Sequence, residues 1–398
     1  MILLSHPTVN AFNRALAEAL EQAGRLAAFH TTIAFGRRAV SLPRAKVHQH
    51  PWRELARLAA QRLGRRDDRG PLGIDAVYRG LDAVVARHLD SARAVYCYED
   101  GALSTFRAAR ERGLRCIYEL PIAYWETAQR LLREEAARLP AWAPTLQAPD
   151  DPAEKLARKA DELCLADLVV CPSRFVEASL PAGTRSVVAE FGSPTVPAQI
   201  APRREDGPLR LLFAGTMTQR KGLADLFAAM RLLNRRDITL SVLGTPLAPL
   251  SFYRDAWPHF LHEPPRPHSQ VLALMDSCDV LVLPSIVEGR ALVQQEALSR
   301  GLPLVVTPNA GGEDLIVAGE TGWLVPMRDP EALAERIAWF ADHRSELPAM
   351  REAARRMAAA RTWKDYTDRI LGVVEELLSA PDVRRSETAA TGHRPSRA

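Results

Sequence analysis

Short apolar runs alternate with helix-period segments through most of the chain, and this alternation constrains the fold more than any other feature. Strand, helix, strand repeated along a chain builds parallel sheets, because a parallel neighbour needs a crossover that a helix supplies. In the first half the expected strands are Ile2–Ser5, His30–Phe35, Ala94–Tyr98, Leu114–Leu120, Leu168–Cys171 and Ser186–Glu190. Between them "NAFNRALAEALEQAG" and "GALSTFRAARERG" have helical period and end at a glycine, a common residue just past a helix end. "SPTVPAQIAPRREDGP", Ser193 to Pro208, is proline-rich and aperiodic, and reads as a linker. A second alternation starts directly after it: "LRLLFAG", "LADLFAAMRLL", "ITLSVLG", "DVLVLPS", "GLPLVVTP" and "GWLVP". At 398 residues the chain is long for one core, so two domains of about 180 residues each are expected. The predicted class is α/β: one Rossmann-like domain over 1–192, a linker over 193–208, and a second Rossmann-like domain over 209–362. A polar Arg/Ser/Thr-rich tail over 381–398 has the composition of a disordered segment.

Several function classes are excluded or disfavoured. No apolar run approaches the roughly 18 residues of a membrane span. "MILLSHPTVN" enters a strand-like segment with no basic leader, so the cytoplasm is the expected location. The five cysteines (Cys97, Cys116, Cys164, Cys171, Cys278) show no CxxC spacing and read as reduced thiols. The ten histidines form no HxxxH pair beside acids, so no metal site is expected. No GxGxxG follows the first strand of either half, which disfavours a dinucleotide-dependent dehydrogenase.

A net charge of +4 is too small to argue for nucleic acid, but it is uneven. Ten basic residues (Arg37, Arg38, Arg44, Lys46, Arg53, Arg57, Arg62, Arg65, Arg66, Arg69) face three acids (Glu54, Asp67, Asp68) in one segment. Within it, "HPWRELARLAAQRLGRR" puts Trp52, Leu55, Ala56, Ala59 and Leu63 on one helical stripe. Two readings stand: peripheral contact with an anionic membrane face through 51–69, or an ordinary domain helix that buries the stripe. One aromatic residue and no recognisable module leave nucleic acid unsupported.

Two turns of the second half carry cations where a helix begins. Arg220 and Lys221 stand in "LLFAGTMTQRKGLADLF", and Arg290 in "VLVLPSIVEGRALVQQE". Helix N-termini are partly positive, so a cation there is unfavourable by roughly 0.3–1 kcal/mol unless an anion lies between. Lysine is scarce, five among 52 basic residues, so Lys221 beside a glycine suggests a point charge aimed at phosphate. Either turn alone fits solvated loop residues; two in one domain favour phosphate. Glu288 and Glu296 flank the second turn, and carboxylates at a strand end suit sugar hydroxyls. Glu288 could equally complement a helix dipole, and Glu296 could be a solvated helix residue.

These segments resemble the nucleotide-binding domain of retaining GT-B glycosyltransferases of family 4. "FAGTMTQRKGLADLFAAMRLL", "CDVLVLPSIVEGRALVQQEALSRGLPLVVTPNAGGEDLI" and "AGETGWLVPMRDPEALAERI" carry the resemblance, over roughly residues 209–342; over 1–192 it is topological. The resemblance implies two Rossmann-like domains facing a central cleft. The final pattern "TWKDYTDRILGVVEELL", with its helix over residues 363–378, would cross back onto the first domain. It also implies transfer of a sugar, with retention, from a nucleotide-diphosphate sugar to a glycan, lipid-linked or small-molecule acceptor, without metal or other cofactor. Lys221 would bind the diphosphate and Glu288 the transferred sugar. Gly215, Thr216, Arg220 and the backbone of Gly289 to Leu292, with Ala291 among them, would surround the donor, and Glu296 would hold the ribose.

The chain departs from the family pattern at Thr216, where an arginine often stands, and at Arg290-Ala291, which replace an aromatic-glycine pair. Arg290 is therefore expected to supply the charge that Thr216 lacks, with a catalytic role beside Glu288 and Lys221. In the first half "SHPTVNAFNRAL" replaces a glycine-rich turn and brings His6, Asn10 and Asn13. "CIYELPIAYW" has Glu119 nearest the usual catalytic histidine. Asn10, Asp100, Glu119 and Tyr124 are the acceptor-side candidates. A nucleotide-sugar epimerase of the same fold, or a degenerate nucleotide-sugar binder, are the alternatives.

Overall fold

A computed structural model describes residues 1–64, 70–146, 150–198 and 207–380, with the side chain of Arg37 left out. The tail, half of the linker and the Arg65–Arg69 end of the basic segment lie outside the described residues. The first sheet is built by β1 (Ile2–Ser5), β2 (Leu26–Thr31), β3 (Val47–Gln49), β4 (Ala94–Tyr98), β5 (Arg115–Glu119), β6 (Leu168–Cys171) and β7 (Ser186–Val188). Its helices are α1 (Ala11–Gln22), α2 (Trp52–Arg62), α3 (Ile74–Val85), α4 (Leu103–Glu111), α5 (Trp125–Arg138), α6 (Ala153–Leu165) and α7 (Arg174–Ala178).

The second sheet holds β8 (Leu209–Ala214), β9 (Ile238–Leu243), β10 (Leu261–Glu263), β11 (Val280–Leu283), β12 (Leu304–Val306) and β13 (Gly322–Leu324). With them come α8 (Leu223–Leu233), α9 (Leu250–Ala256), α10 (His268–Asp276), α11 (Val293–Ser299), α12 (Pro330–Asp342) and α13 (Leu347–Ala359). The last helix is α14 (Trp363–Ser379).

The strand orders are β3-β2-β1-β4-β5-β6-β7 and β10-β9-β8-β11-β12-β13, and the pairs are parallel. Each sheet reverses its winding beside its first strand, at β1/β4 and at β8/β11. Those switch points open crevices at the carboxyl ends of the strands, where ligands of doubly wound sheets bind. Period-2 alternation splits the first sheet between two cores. Leu4, Tyr96, Ile117 and Val170 face α1 and α14; Leu3, Val95, Tyr118 and Val169 face α3 and α4.

The strand expected at His30–Phe35 runs instead over Leu26–Thr31, because Leu26, Ala28, Phe29 and His30 take the register beside β1. α14 lays Tyr366, Ile370, Val374 and Leu377 into the first core. A crossing in the other direction was not visible in the sequence. Trp142, in a 3-10 turn over Pro140–Thr145, packs in the second core at 4.9 Å from the Phe252 ring centre and 5.6 Å from Tyr253.

Candidate active site

The turn after β8 is fixed by hydrogen bonds before it meets any ligand. Thr218 Oγ1 donates to Thr145 O at 2.5 Å and accepts from Arg220 N at 3.1 Å. Buried Gln219 donates to Glu135 and Asp225 at 2.7 and 2.8 Å, while Arg138 and Arg328 pair with the same carboxylates. Gly222 sits at φ +74°, and a Cβ there would run into Pro284 O at the end of β11. Only glycine allows this turn to lie on that strand end. The contact brings Arg220 and Lys221 beside Glu288: Ile286 N donates to Arg220 O at 2.8 Å, and Arg220 Nη1 to Val287 O at 2.9 Å.

Glu288, 8% exposed, pairs with Lys221 Nζ and, at 3.1 Å, with Arg220 Nη1. Burial pushes its carboxyl up, but the two cations outweigh burial and hold it below the usual range. Next to it, Gly289 bridges the domains. Its carbonyl accepts from Ser173 Oγ at 2.6 Å, and its Cα faces Pro121 O so closely that no side chain fits.

These groups form one wall of a cavity of ≈ 520 Å³ between the domains, lined by Arg220 and Val287–Arg290 on one side. The other wall comes from the ends of β4 and β5 and from α3 and α5 of the first domain: Tyr98, Glu99, Asp100, Pro121, Ile122, Ile74, Tyr78 and Trp125. Glu99 pairs with Lys159 at 2.6 Å, and Asp100 with Lys159, Arg158 and Lys155 at 3.3–3.6 Å. Burial pushes Glu99 up, with Lys159 opposing; Lys159 is itself raised, since Glu99 and Asp100 outweigh its burial. Glu162 accepts from Asp100 N, Ala102 N and Leu103 N at 2.9–3.2 Å, holding that strand end in place.

Of the residues proposed from sequence, Glu288, Arg220, Gly289, Arg290 and Asp100 line this cavity, and Lys221 pairs with Glu288 at its edge. Gly215 lies under Lys221, where a Cβ would stand 2.8 Å from its Cδ. Thr216 accepts a backbone bond from Thr218 at 2.9 Å. Ala291 is buried, Leu292 packs against the first core, and Glu296 bonds His268 at 2.9 Å outside this cavity.

Arg290 differs from the expectation. Its guanidinium bonds Asp314 at 2.6 and 3.0 Å and Gly311 O at 3.0 Å, so both terminal nitrogens are taken within the protein. Arg290 thus lines the cavity with its charge already paired, whereas Arg220 and Lys221 share the one carboxylate of Glu288.

Among the acceptor-side candidates, Asn10 caps α1 in a reciprocal box with Asn13. Tyr124 N donates to Ser179 Oγ at 2.7 Å, and its side chain is outside the cavity lining. Glu119 is buried with Tyr96 and Tyr366, and burial raises its carboxyl to about 8. Glu99 and Lys159 were missed. The scarcity of lysine that singled out Lys221 applies equally to Lys159. Among the described residues no three ligating side chains are placed to hold a metal, and no helix is long and apolar enough to cross a membrane.

Residues 198–357 match the family profile described as glycosyl transferases group 1. WcaL of Salmonella typhimurium, named for colanic acid biosynthesis, is 32% identical over 158 residues, 34% of this chain and 37% of the relative. Glycogen synthase of Mycobacterium tuberculosis is 33% identical over 168 residues, 40% of this chain and 39% of the relative. The chain thus spans well under half the length of these curated relatives. Among solved structures, sucrose-phosphate synthase from Thermosynechococcus elongatus superposes with a TM-score of 0.69 at 17% identity, over 96% of this chain and 99% of that one. Anabaena HepE in complex with UDP-glucose gives 0.61 at 15% identity, over 94% and 99%. The fold is GT-B, and residues 198–357, mostly in its second domain, are similar to the glycosyl transferases group 1 family.

Proposed function

We propose that the chain is a glycosyltransferase that moves a sugar from a nucleoside-diphosphate sugar to an acceptor hydroxyl, in glycan or polysaccharide synthesis, with retention at the anomeric carbon. The observation that carries this reading is the pairing of Lys221 and Arg220 with the single carboxylate of Glu288 at the β8/β11 switch point. Two cations around one carboxylate leave positive charge over in a shielded corner, and a diphosphate is the ligand that uses it. On donor binding the cations turn to the diphosphate, and Glu288 accepts hydrogen bonds from the transferred sugar. As the bond from the anomeric carbon to the phosphate oxygen breaks, the acceptor oxygen bonds that carbon and its proton passes to the departing diphosphate. Lys221 and Arg220 stabilise the charge growing on that diphosphate where they already stand. Glu296 accepts from the ribose. Glu99, Asp100 and Lys159 orient the acceptor across the cavity, whose closure keeps water from the donor. The scheme uses the protein's own cations and no metal. UDP-glucose in the HepE complex supports a nucleotide sugar as the donor class.

Release of nucleoside diphosphate, followed over a panel of nucleotide sugars and acceptors, tests the reading. Glu288→Gln and Lys221→Ala should each lower turnover by about a hundredfold or more. Lys221→Ala should also weaken nucleoside-diphosphate binding. Wild-type rates in both variants would refute the assignment. Binding of nucleotide sugars without release by any form of the chain would make it a binding protein.

A further inference from the structure

Helix α2 carries its apolar stripe outward. Trp52 is 81% exposed, Leu55 40%, and Leu63, just past the helix, 78%; Ala56 and Ala59 are exposed with them. The inward side is built on an acid. Glu54 is 1% exposed and accepts from Arg57 Nε and Nη2 at 2.7 and 2.9 Å, with Arg38 Nη1 at 3.4 Å. The Arg38 bond ties the turn after Phe35 to α2, and Phe35 is itself 60% exposed. The stripe read from the sequence as a possible core face is therefore the solvent face. A helix that buries its carboxylate and exposes a tryptophan and two leucines reverses the arrangement that water favours.

We propose that this face docks on an anionic lipid bilayer, with the stripe of α2 lying in the headgroup region. Charge selects this occupant. From Thr32 to Gly64 the chain has seven basic residues and one acid, Glu54, and that acid is buried. No carboxylate of this stretch reaches the surface, while exposed Arg53 and Arg62 accompany the stripe. An apolar protein partner would account for the tryptophan and leucines, but not for a stretch of seven basic residues whose one carboxylate is buried. An anionic bilayer uses both features, and the pairing of an apolar with a basic signal is what stable peripheral binding needs.

The placement fits a lipid-linked acceptor. α2 packs on α3, and the Arg53 side chain lies across Gly80 so closely that a Cβ there would meet it. Ile74 and Tyr78 of α3 line the cavity on its first-domain side. Docking through α2 brings that side of the cavity toward the lipid surface. The docking itself does not depend on the reading of the cleft, so the two can fail separately.

The test is flotation of the full chain with vesicles of phosphatidylcholine, alone or mixed with phosphatidylglycerol. The wild type should float with the mixed vesicles and not with the neutral ones. Arg53→Glu with Arg62→Glu should lower partitioning at least about twentyfold, at about fivefold for each basic residue lost. Trp52→Ser with Leu63→Ser should lower it similarly, although these variants keep the charge. Trp52, Leu63 and Arg62 are exposed, so the unfolding midpoint and the thermal shift with nucleoside diphosphate should match the wild type in Trp52→Ser with Leu63→Ser and in Arg62→Glu alone. Arg62→Glu alone keeps the Arg53–Gly80 contact and should lower partitioning about fivefold. Equal recovery with neutral and anionic vesicles, or variants that float like the wild type, would overturn the proposal. So would concentration-dependent self-association abolished by Trp52→Ser in a chain that binds no vesicles, since the face would then join two copies.

Discussion

Replacing Arg290 with alanine separates two roles for a cation beside the donor site. The Arg290 side chain is 0% exposed and its terminal nitrogens both reach Asp314, so the substitution strands a carboxylate that keeps, among the described residues, Arg361 at 3.4 Å. Burial pushes the Asp314 carboxyl up, and Arg290 and then Arg361 now hold it below its usual range. Stranding one partner of a buried pair costs about 3–5 kcal/mol. Asp314 is 21% exposed, which places the cost at the lower end, about 3 kcal/mol. In a domain of this size 1 kcal/mol moves the midpoint by about 2–4 °C, so Arg290→Ala should melt about 6–12 °C lower. Titration with nucleoside diphosphate well below that midpoint should give an affinity within about threefold of wild type. Asp314→Ala should destabilise as well, and the double variant should cost less than the two single losses together. An unchanged midpoint with lost nucleoside-diphosphate affinity would refute the reasoning and put the guanidinium on phosphate.

Two further outcomes follow from the geometry. Gly222→Ala forces a side chain into Pro284 O at φ +74°, and should cost about 1–3 kcal/mol in melting experiments while weakening nucleoside-diphosphate binding through the displaced Arg220–Lys221 turn. Glu119→Gln should flatten the pH dependence of stability. The buried carboxyl titrates at about 8 against 4.5 when exposed, so its stabilising protonated state is complete below 4.5 and is lost as pH rises towards 8. The variant should melt above the wild type at pH 8 and close to it at pH 4.5, and parallel midpoint-against-pH curves would contradict this.

Local pattern carried much of the fold. β1, β4, β6 and α8 fall where the apolar runs placed them, because each run is matched to one element and bounded by turn residues. The Arg220–Lys221–Gly222 turn and Glu288 were legible for the same reason: their roles are set by neighbours close in sequence. The rest depended on contacts that no local pattern encodes. Asp314, which captures Arg290, lies 24 residues away. Glu99 was passed over for Asp100 because strand-end reasoning identifies a position and not the partner, Lys159, that orients it. The α2 stripe shows the limit most plainly. Periodicity tells which residues share a face, and Glu54 with its arginines decided which face turned inward.

The chain passes between the sheets after β7 and again before α14, and the two passages touch. Ser193 N donates to Arg361 O at 2.8 Å, and Gly192 is pressed against the backbone of Thr362 and Trp363. Two strands of chain bonded side by side act mechanically as one pivot. They leave a swinging motion open to the domains while opposing sliding and twisting. Trp142 complicates that swing, since it is rooted in the opposite core from the strands on either side of it. When the jaws part, the Pro140–Thr145 turn rides with the second domain, and so does the end of α5, whose Glu135 and Arg138 bond Gln219, Arg328 and Asp225. Opening of the cleft is thus geared to the end of the same helix that holds Gln219, so the lysine turn and the jaw move as a linked pair.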